Sequence, residues 1–521
     1  MITVQLNRAD FEYDIHSLVK AFYPAEDVKV CVKDKTTEEE ISFCICQSMG
    51  KEAPGELSVA VTNYLEKTIE IAFYEISALK SVGFKAENKC VDITGIAPRL
   101  KQEIEVDFTD RKDTKNRLKQ TYYKMLCEFT GKTLPWGDLT GIRPTKIPMA
   151  FLEEGKDEAF IRQYMKDTYF ASDEKIDLSI DIAKRELELL KKIDYENGYS
   201  LYIGIPFCPS TCLYCSFTSY PLGMWKKRID EYLDALEKEI DFTAERFKDK
   251  YLNAVYIGGG TPTTLEPYQL RRLIRKIKAS FDLSNCLEFT VEAGRPDSIT
   301  REKLEVLREE GIDRISINPQ TMKDETLKII GRHHTVEQAV ESFKLARELG
   351  FDNINMDLII GLPNENIKDV EATMQRIKEL DPDNLTIHSL ALKRAARLNM
   401  FREEYQDLTF ENTWETVELT ASYAAQMGLE PYYLYRQKNM AGNFENVGYA
   451  KPGKAGIYNI LIMEEKQTIM ALGAGATTKF VFDKGARIER VENVKDVTNY
   501  LERTEEMIAK KIKKMEEISW H

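Results

Sequence analysis

Three cysteines, Cys208, Cys212 and Cys215, stand at the spacing Cys-x3-Cys-x2-Cys directly after the apolar run Leu201–Phe207. Three thiolates can hold three irons of a four-iron cube and leave the fourth iron without a protein ligand. An open iron can bind a small molecule and pass it an electron. Zinc and unrelated core cysteines are the alternatives. Structural zinc usually takes four ligands, often as two separated pairs. No second cysteine pair lies nearby, and none of the histidines (His16, His333, His334, His388 and His521) adjoins the triplet. The remaining cysteines, Cys31, Cys44, Cys46, Cys90, Cys127 and Cys286, are scattered. They are expected to pack as small apolar residues, being too sparse for a disulfide scaffold.

Other residue sets offer a second component. Gly258–Thr263 reads Gly-Gly-Gly-Thr-Pro-Thr after an apolar run. Glycines at a strand end let a ligand approach the backbone closely, and their carbonyls could accept from an ammonium group. A tight strand-to-helix turn explains them equally well. No Lys-Ser/Thr follows, which excludes a phosphate-binding P-loop, and the dinucleotide glycine spacing is incomplete. Glu292, Gln320, Arg332 and Asp357 form a polar set at or near successive strand ends. Such a set suits a nucleoside-bearing ligand, with acceptors for ribose hydroxyls and a cation for a carboxylate. Singly, each is an ordinary solvated or capping residue. A late basic group, Lys393, Arg394, Arg397 and Arg436, with Arg143 upstream, either pairs with substrate carboxylates or forms a solvated face.

The elements that must position these residues follow from periodicity. Six apolar, β-rich runs stand at Leu201–Phe207, Ala254–Gly260, Glu288–Ala293, Arg314–Gln320, Asn353–Gly361 and Asn384–Leu390. Helical spacing links them: Ile229, Tyr232, Leu233, Leu236 and Ile240 mark one face, and similar stretches cover about 267–280, 299–310, 336–349, 366–379 and 411–427. Alternating strands and helices imply a parallel sheet. Six units are too few for a closed eight-unit barrel, so a partial, open (β/α)6 barrel is expected. The loops after parallel strands build the active site in such folds, and the unusual residues fall there.

Residues 1–195 predict an N-terminal α+β domain. Val28–Val32, Ile41–Cys46 and Leu57–Thr62 suggest a small sheet. Stretches 114–170 and 175–193 read as helical, interrupted by Trp136–Pro144. The barrel is expected over 196–430 and a small C-terminal α+β extension over 431–521. In that extension, Tyr432–Arg436 precedes a loop-like, glycine-rich stretch to Gly456, a strand-like Gly456–Met463 and a charged terminal helix. The fold class is therefore α/β with accessory α+β ends.

A chain of 521 residues exceeds one ordinary core. No run of about 18 apolar residues predicts a membrane span. Met1–Asp10 has neither basic flank nor long apolar block, so no signal peptide is expected and the reading is cytoplasmic. A net charge of -13 argues against a broad nucleic-acid surface.

At this point the motifs resemble a known family. Cys-x3-Cys-x2-Cys after a first barrel strand, with Gly-Gly-Gly-Thr-Pro after the second, resembles the radical S-adenosylmethionine enzymes. LYIGIPFCPSTCLYC, YIGGGTPT, TVEA, RISINPQTM, GRHH and NMDLIIGLP resemble, in order, the oxygen-independent coproporphyrinogen III oxidases and their relatives. WGDLTGIRPTK and YYLYRQKNMAGNFENVGYAKPG resemble the HemZ-type coproporphyrinogen dehydrogenases. The resemblance implies a radical-SAM barrel with a [4Fe–4S] cluster on Cys208, Cys212 and Cys215. S-adenosyl-L-methionine would chelate the open iron, in one or two copies. Tyr202, Gly260 and Glu292 match cofactor contacts. Gln320, Arg332 and Asp357 match contacts to a second copy in the oxidase. Thr261 and Tyr214 match contact points beside the cluster. The implied reaction is oxidative decarboxylation of coproporphyrinogen III in porphyrin and haem biosynthesis. A 5′-deoxyadenosyl radical would take hydrogen from a propionate β-carbon, and a carrier such as flavodoxin or ferredoxin would supply electrons. Here Cys215 is followed by Ser216-Phe217, whereas the oxidases commonly continue Cys-x-Cys. Haem-trafficking relatives share the Cys-x-Phe form. A haem-binding chaperone, or another radical reaction on a tetrapyrrole such as methyl transfer or ring opening, is therefore the alternative.

Overall fold

The structure is a computed structural model of the 521-residue chain and describes residues 1–24, 26–37, 57–75, 96–391, 396–405, 407–437, 444–482 and 485–516. Ile41–Cys46, Cys90, Lys393, Arg394 and His521 lie outside the described residues. Two compact units emerge, one of Met1–Ile180 with Arg436–Phe444, the other of Asp181–Tyr435 with Glu445–His521.

Among the described residues the first unit holds one five-stranded sheet. Its strands are β1 (Ile2–Leu6), β2 (Val28–Val32), β3 (Leu57–Tyr64), β4 (Thr68–Glu75) and β5 (Leu100–Glu105), in the order β2-β1-β3-β4-β5. The helix α1 (Glu12–Phe22) connects the parallel pair β1 and β2. A long helix, α2 (Arg111–Thr130), buries Leu118, Tyr122, Leu126 and Phe129 against Val4, Leu18, Ile71 and Phe73. Asp110 caps α2 through the Asp113 N–H, and Gly131 ends it in the left-handed region. Then come α3 (Lys146–Glu153), α4 (Glu158–Tyr169) and α5 (Asp173–Leu190), the last running across the unit boundary.

The second unit carries the six expected strands: β6 (Gly198–Ile205), β7 (Tyr251–Gly259), β8 (Glu288–Gly294), β9 (Arg314–Ile317), β10 (Ile354–Ile360) and β11 (Asn384–Ser389). Consecutive members pair in parallel. Their crossovers contain α6 (Ile229–Arg246), α7 (Pro267–Ser280), α8 (Arg301–Glu309), α9 (Val336–Glu348) and α10 (Ile367–Leu380), with α11 (Trp414–Gln426) after β11. One face of these strands is apolar, with Leu201, Val255, Val291, Ile315, Met356 and Leu385, while the other carries buried polar side chains such as Thr290, Arg314, Ser316, Asn355 and Thr386.

Among the described residues five further strands extend the sheet to eleven. They are β12 (Glu430–Tyr435), β13 (Asn446–Ala450), β14 (Thr468–Leu472), β15 (Thr477–Phe482) and β16 (Arg487–Glu492). The order is β12-β13-β11-β10-β9-β8-β7-β6-β14-β15-β16, so the sheet is open. Two expectations are corrected here. The loop-like stretch before Gly456 contains the buried strand β13. The apolar run Gly456–Met463 is a helix, α12 (Ile457–Glu464), not a strand. A short apolar run has no periodicity that separates the two. Among the described residues no helix is long and apolar enough to cross a membrane.

The terminal helix α13 (Thr504–Glu516) is anchored by a fully buried ion pair, Lys511 Nζ to Glu239 Oε1 at 2.7 Å. The Glu239 carboxylate also accepts from Gly473 N–H (2.8 Å), Asn493 Nδ2 (3.0 Å) and Tyr500 OH (2.6 Å). This holds Gly473, just past β14, against Gly204 of β6, where an added Cβ would lie 2.5 Å from the Gly204 carbonyl. Lys511→Met leaves a buried carboxylate without its cation. We expect a loss of about 3–5 kcal/mol in urea unfolding; a loss under about 1 kcal/mol contradicts the role.

Candidate functional site

The cysteine loop is stitched to the strand ends around it. Gly260 N–H donates to the Ile205 carbonyl at 2.8 Å, and Thr261 N–H to that of Phe207 at 2.8 Å. Leu213 N–H donates to the Ile330 carbonyl (2.9 Å) and Ser210 Oγ to that of Gly331 (2.9 Å). Tyr214 packs on Leu327, Ile330, Ile359 and Leu362. Cys208 and Cys212 are buried and Cys215 is half-buried. Thr261 Oγ1 lies 3.5 Å from Cys208 Sγ, and Arg295 Nη1 lies 3.7 Å from Cys212 Sγ. Burial pushes the Cys208 thiol up to about 11 and raises Cys215 as well. Metal loading must therefore displace their protons.

The remaining predicted residues surround the inner face of the strand ends. Tyr202 of β6 stacks at 6.3 Å with Tyr256 of β7 and with Tyr458 of α12; Tyr256 and Tyr458 lie 4.5 Å apart. Tyr256 OH donates to Glu292 Oε1 at 2.5 Å. Gly258 leaves room for this pair, since a Cβ there would be 2.8 Å from the Tyr256 ring and 3.2 Å from the Glu292 carboxyl. Gln320 adopts the left-handed backbone conformation (φ 71°), bridges to Leu358 and has a buried Oε1 without a hydrogen-bond partner among the described residues. Arg332 is buried, donates from Nη1 to the Asn318 carbonyl and has an Nε without a hydrogen-bond partner among the described residues. Asn355 Nδ2 donates to Asp357 Oδ1 (2.7 Å), and His388 Nε2 lies 3.9 Å from Asp357 Oδ2. Burial works to raise the Asp357 carboxyl, but His388, Asn355 and Arg314 outweigh it and hold it below the usual range.

Glu292 behaves oppositely. Burial lifts its carboxyl to about 7, against a smaller pull from the Tyr256 hydroxyl. The folded chain thus holds a proton that the unfolded chain has lost between about pH 4.5 and 7. Stability contributed by protonated Glu292 is lost as pH rises through that window. Glu292→Gln removes the effect. The cluster-free variant is expected to gain thermal stability over the native chain at pH 8 but not at pH 4.5. Equal differences at both values contradict this.

The residues present fit a cluster and a nucleoside ligand. The three thiols share one loop beside the Arg295 and Arg332 guanidiniums, two cations suited to an anionic thiolate cluster. Gln320 Oε1 and Arg332 Nε, without hydrogen-bond partners among the described residues, leave polar capacity for a ligand. Among the described residues no three His, Cys, Asp or Glu side chains could hold a single metal ion.

Arg436 is buried in the first unit: its N–H donates to the Ile142 carbonyl (2.8 Å), Nη1 donates to Leu139 and its guanidinium stacks over Trp136. It is not a solvated cation. Arg143 is half-buried in the same unit, and Arg397 is exposed beside Leu398, whose N–H donates to the Leu213 carbonyl. Sequence reasoning missed Arg295 and Tyr458. Arg295 lies three residues past Glu292, but a register shift between Glu292 and Gly294 is needed to turn it to the cysteines.

Comparison with known proteins now gives the family. Residues 202–377 match the radical SAM superfamily model. The chain is 42% identical over 432 residues to the oxygen-independent coproporphyrinogen-III oxidase-like protein HemZ of Bacillus subtilis, covering 82% of this chain and 86% of that protein. It is 35% identical over 283 residues to the heme chaperone HemW of B. subtilis, covering 53% and 70%. Coproporphyrinogen III oxidase (HemN) of Escherichia coli aligns in structure with a TM-score of 0.49 at 24% identity, covering 62% and 72%. With its triplet loop and its match to HemZ across most of both chains, this protein belongs to the radical SAM superfamily, in the oxygen-independent coproporphyrinogen III oxidase-like branch, and its cofactors are a [4Fe–4S] cluster and S-adenosyl-L-methionine.

Proposed function

We propose that the chain catalyses oxygen-independent oxidative decarboxylation of coproporphyrinogen III to protoporphyrinogen IX. The observation that carries this reading is the extent of the HemZ match, which runs well outside residues 202–377. Cys208, Cys212 and Cys215 would hold the cluster. Tyr202, Tyr214, Gly260, Thr261, Glu292, Gln320, Arg332 and Asp357 would contact S-adenosyl-L-methionine, in one copy or two. The chemistry the pair supplies when bound is one-electron cleavage of a C–S bond followed by hydrogen abstraction.

The chain's own residues bind, orient and exclude water. The Tyr202, Tyr256 and Tyr458 rings wall the strand ends with apolar surface. That limits quenching of a reactive species by solvent. Glu292 and Asp357 offer acceptors to hydroxyl or ammonium groups, and Arg332 offers a donor to a carboxylate. Each of two propionates would lose one β-hydrogen atom, carbon dioxide and one electron, leaving a vinyl group. Arg397 is a candidate partner for a propionate that stays. A reducing partner such as flavodoxin or ferredoxin would reduce the cluster.

Anaerobic incubation of reconstituted protein with coproporphyrinogen III, dithionite and S-adenosyl-L-methionine tests the reading. Mass spectrometry should show protoporphyrinogen with 5′-deoxyadenosine; absence of both contradicts it. The Cys215-Ser216-Phe217 sequence and the HemW match favour a second reading, a haem chaperone. That reading requires a stoichiometric Soret shift on haem titration without cofactor turnover.

A further inference from the structure

The strand end that presents Glu292 has a second product. Glu292 pairs with β9 through Ser316, and the register then slips so that Gly294, at φ 69°, pairs with Ile317. A Cβ at Gly294 would lie 3.2 Å from the Thr261 methyl, so the slip is built around a small residue. It redirects the next residue, Arg295, away from the Glu292 side and into the cysteine loop.

Arg295 is 2% exposed and uses its whole guanidinium. Nε and Nη2 donate to the two oxygens of Asp297, at 2.9 and 2.7 Å. Nη1 donates to the Ser210 carbonyl and hydroxyl, both at 2.9 Å, and reaches Cys212 Sγ at 3.7 Å. The bidentate carboxylate fixes the plane of the fork. The third nitrogen is thereby held against the backbone between two of the cysteines and against one sulfur. A buried donor to a cluster sulfur, carrying positive charge, favours the more negative, reduced state.

We propose that Arg295 is a positioning residue that locks the Cys208–Cys215 loop in its cluster-holding shape and raises the cluster's reduction potential through Cys212. This rests on the assignment of Cys212 as a cluster ligand. Neither a turn-stabilising arginine nor a surface ion pair requires contact with the sulfur.

The experiment uses the full chain, reconstituted anaerobically as native, Arg295→Gln and Arg295→Lys. Iron content is measured, and the cluster is titrated electrochemically by electron paramagnetic resonance. In Arg295→Gln the ratio of reduced to oxidised cluster at fixed potential should fall about tenfold, a shift of 59 mV towards negative potential for a one-electron couple, with iron retention also reduced. Arg295→Lys keeps the charge but loses the fork, so a smaller shift and partial iron loss are expected. Native potential with native iron retention in both variants overturns the proposal. Should Arg295→Gln fail to fold, Arg295→Lys decides alone, and native values for it overturn the proposal. A native chain without a cluster overturns instead the reading beneath it, and the native control tells the two failures apart.

Discussion

Cys208→Ser, Cys212→Ser and Cys215→Ser each reduce the iron retained after anaerobic reconstitution to background. Radical chemistry goes with it, while the circular dichroism spectrum stays native. The reason is arithmetic: a cube on three thiolates has no spare protein ligand, and serine's oxygen is a poor substitute for soft iron–sulfur ligation. Nearby groups do not offer a replacement. Thr261 Oγ1 and Arg295 Nη1 already face the sulfurs, one a neutral hydroxyl and the other a cation. Cys286 lies two residues before β8 with its thiol directed to the Glu288 carbonyl (3.2 Å). The loop is held by hydrogen bonds that do not depend on the thiols, from Leu213 N–H to the Ile330 carbonyl, from Ser210 Oγ to the Gly331 carbonyl and from Thr261 N–H to the Phe207 carbonyl, so the fold persists. Full iron retention by any one variant would remove that cysteine from the ligand set.

Gly260→Ala is nearly as severe, although it adds one methyl group. A Cβ at Gly260 would stand 2.6 Å from the Phe207 carbonyl, 2.9 Å from that of Ile205 and 3.0 Å from Cys208 Sγ. Two of these neighbours are backbone atoms and cannot swing aside. The end of β7 would have to part from the cysteine loop, straining the Gly260–Ile205 and Thr261–Phe207 hydrogen bonds. Overpacking of this kind costs about 1–3 kcal/mol. It also displaces Cys208, so cluster content is expected to fall about tenfold. Gly141→Ala is the control, because nothing among the described residues lies within 4 Å of a Cβ there and its backbone needs no positive φ. Iron content at the native level in Gly260→Ala would refute the close approach.

The six parallel strands and the residues at their ends were legible because buried strands read as apolar runs and their loops as polar or glycine breaks. Less local features were not. Gly448 made Asn446–Ala450 look like a loop, yet the glycine serves a strand: a Cβ there would be 1.8 Å from the Tyr433 ring on β12. The glycine marks a close cross-strand approach rather than a turn. β14 joins β6 through pairs such as Met470 with Leu201, a long-range pairing that periodicity cannot reveal. Arg436 read as a site cation because charge alone was visible, whereas its partners are main-chain carbonyls on a distant segment. Arg295 was hidden by the bulge that aims it.

One measurement reaches the centre of the account. Iron, sulfide and zinc are counted in anaerobically reconstituted chain, and the reduced cluster's paramagnetic spectrum is recorded with and without S-adenosyl-L-methionine. Three cysteine ligands predict about four irons and four sulfides per chain, with a spectrum that changes when the ligand reaches the open iron. Zinc in their place, a spectrum indifferent to S-adenosyl-L-methionine, or turnover by chain holding no metal would contradict it.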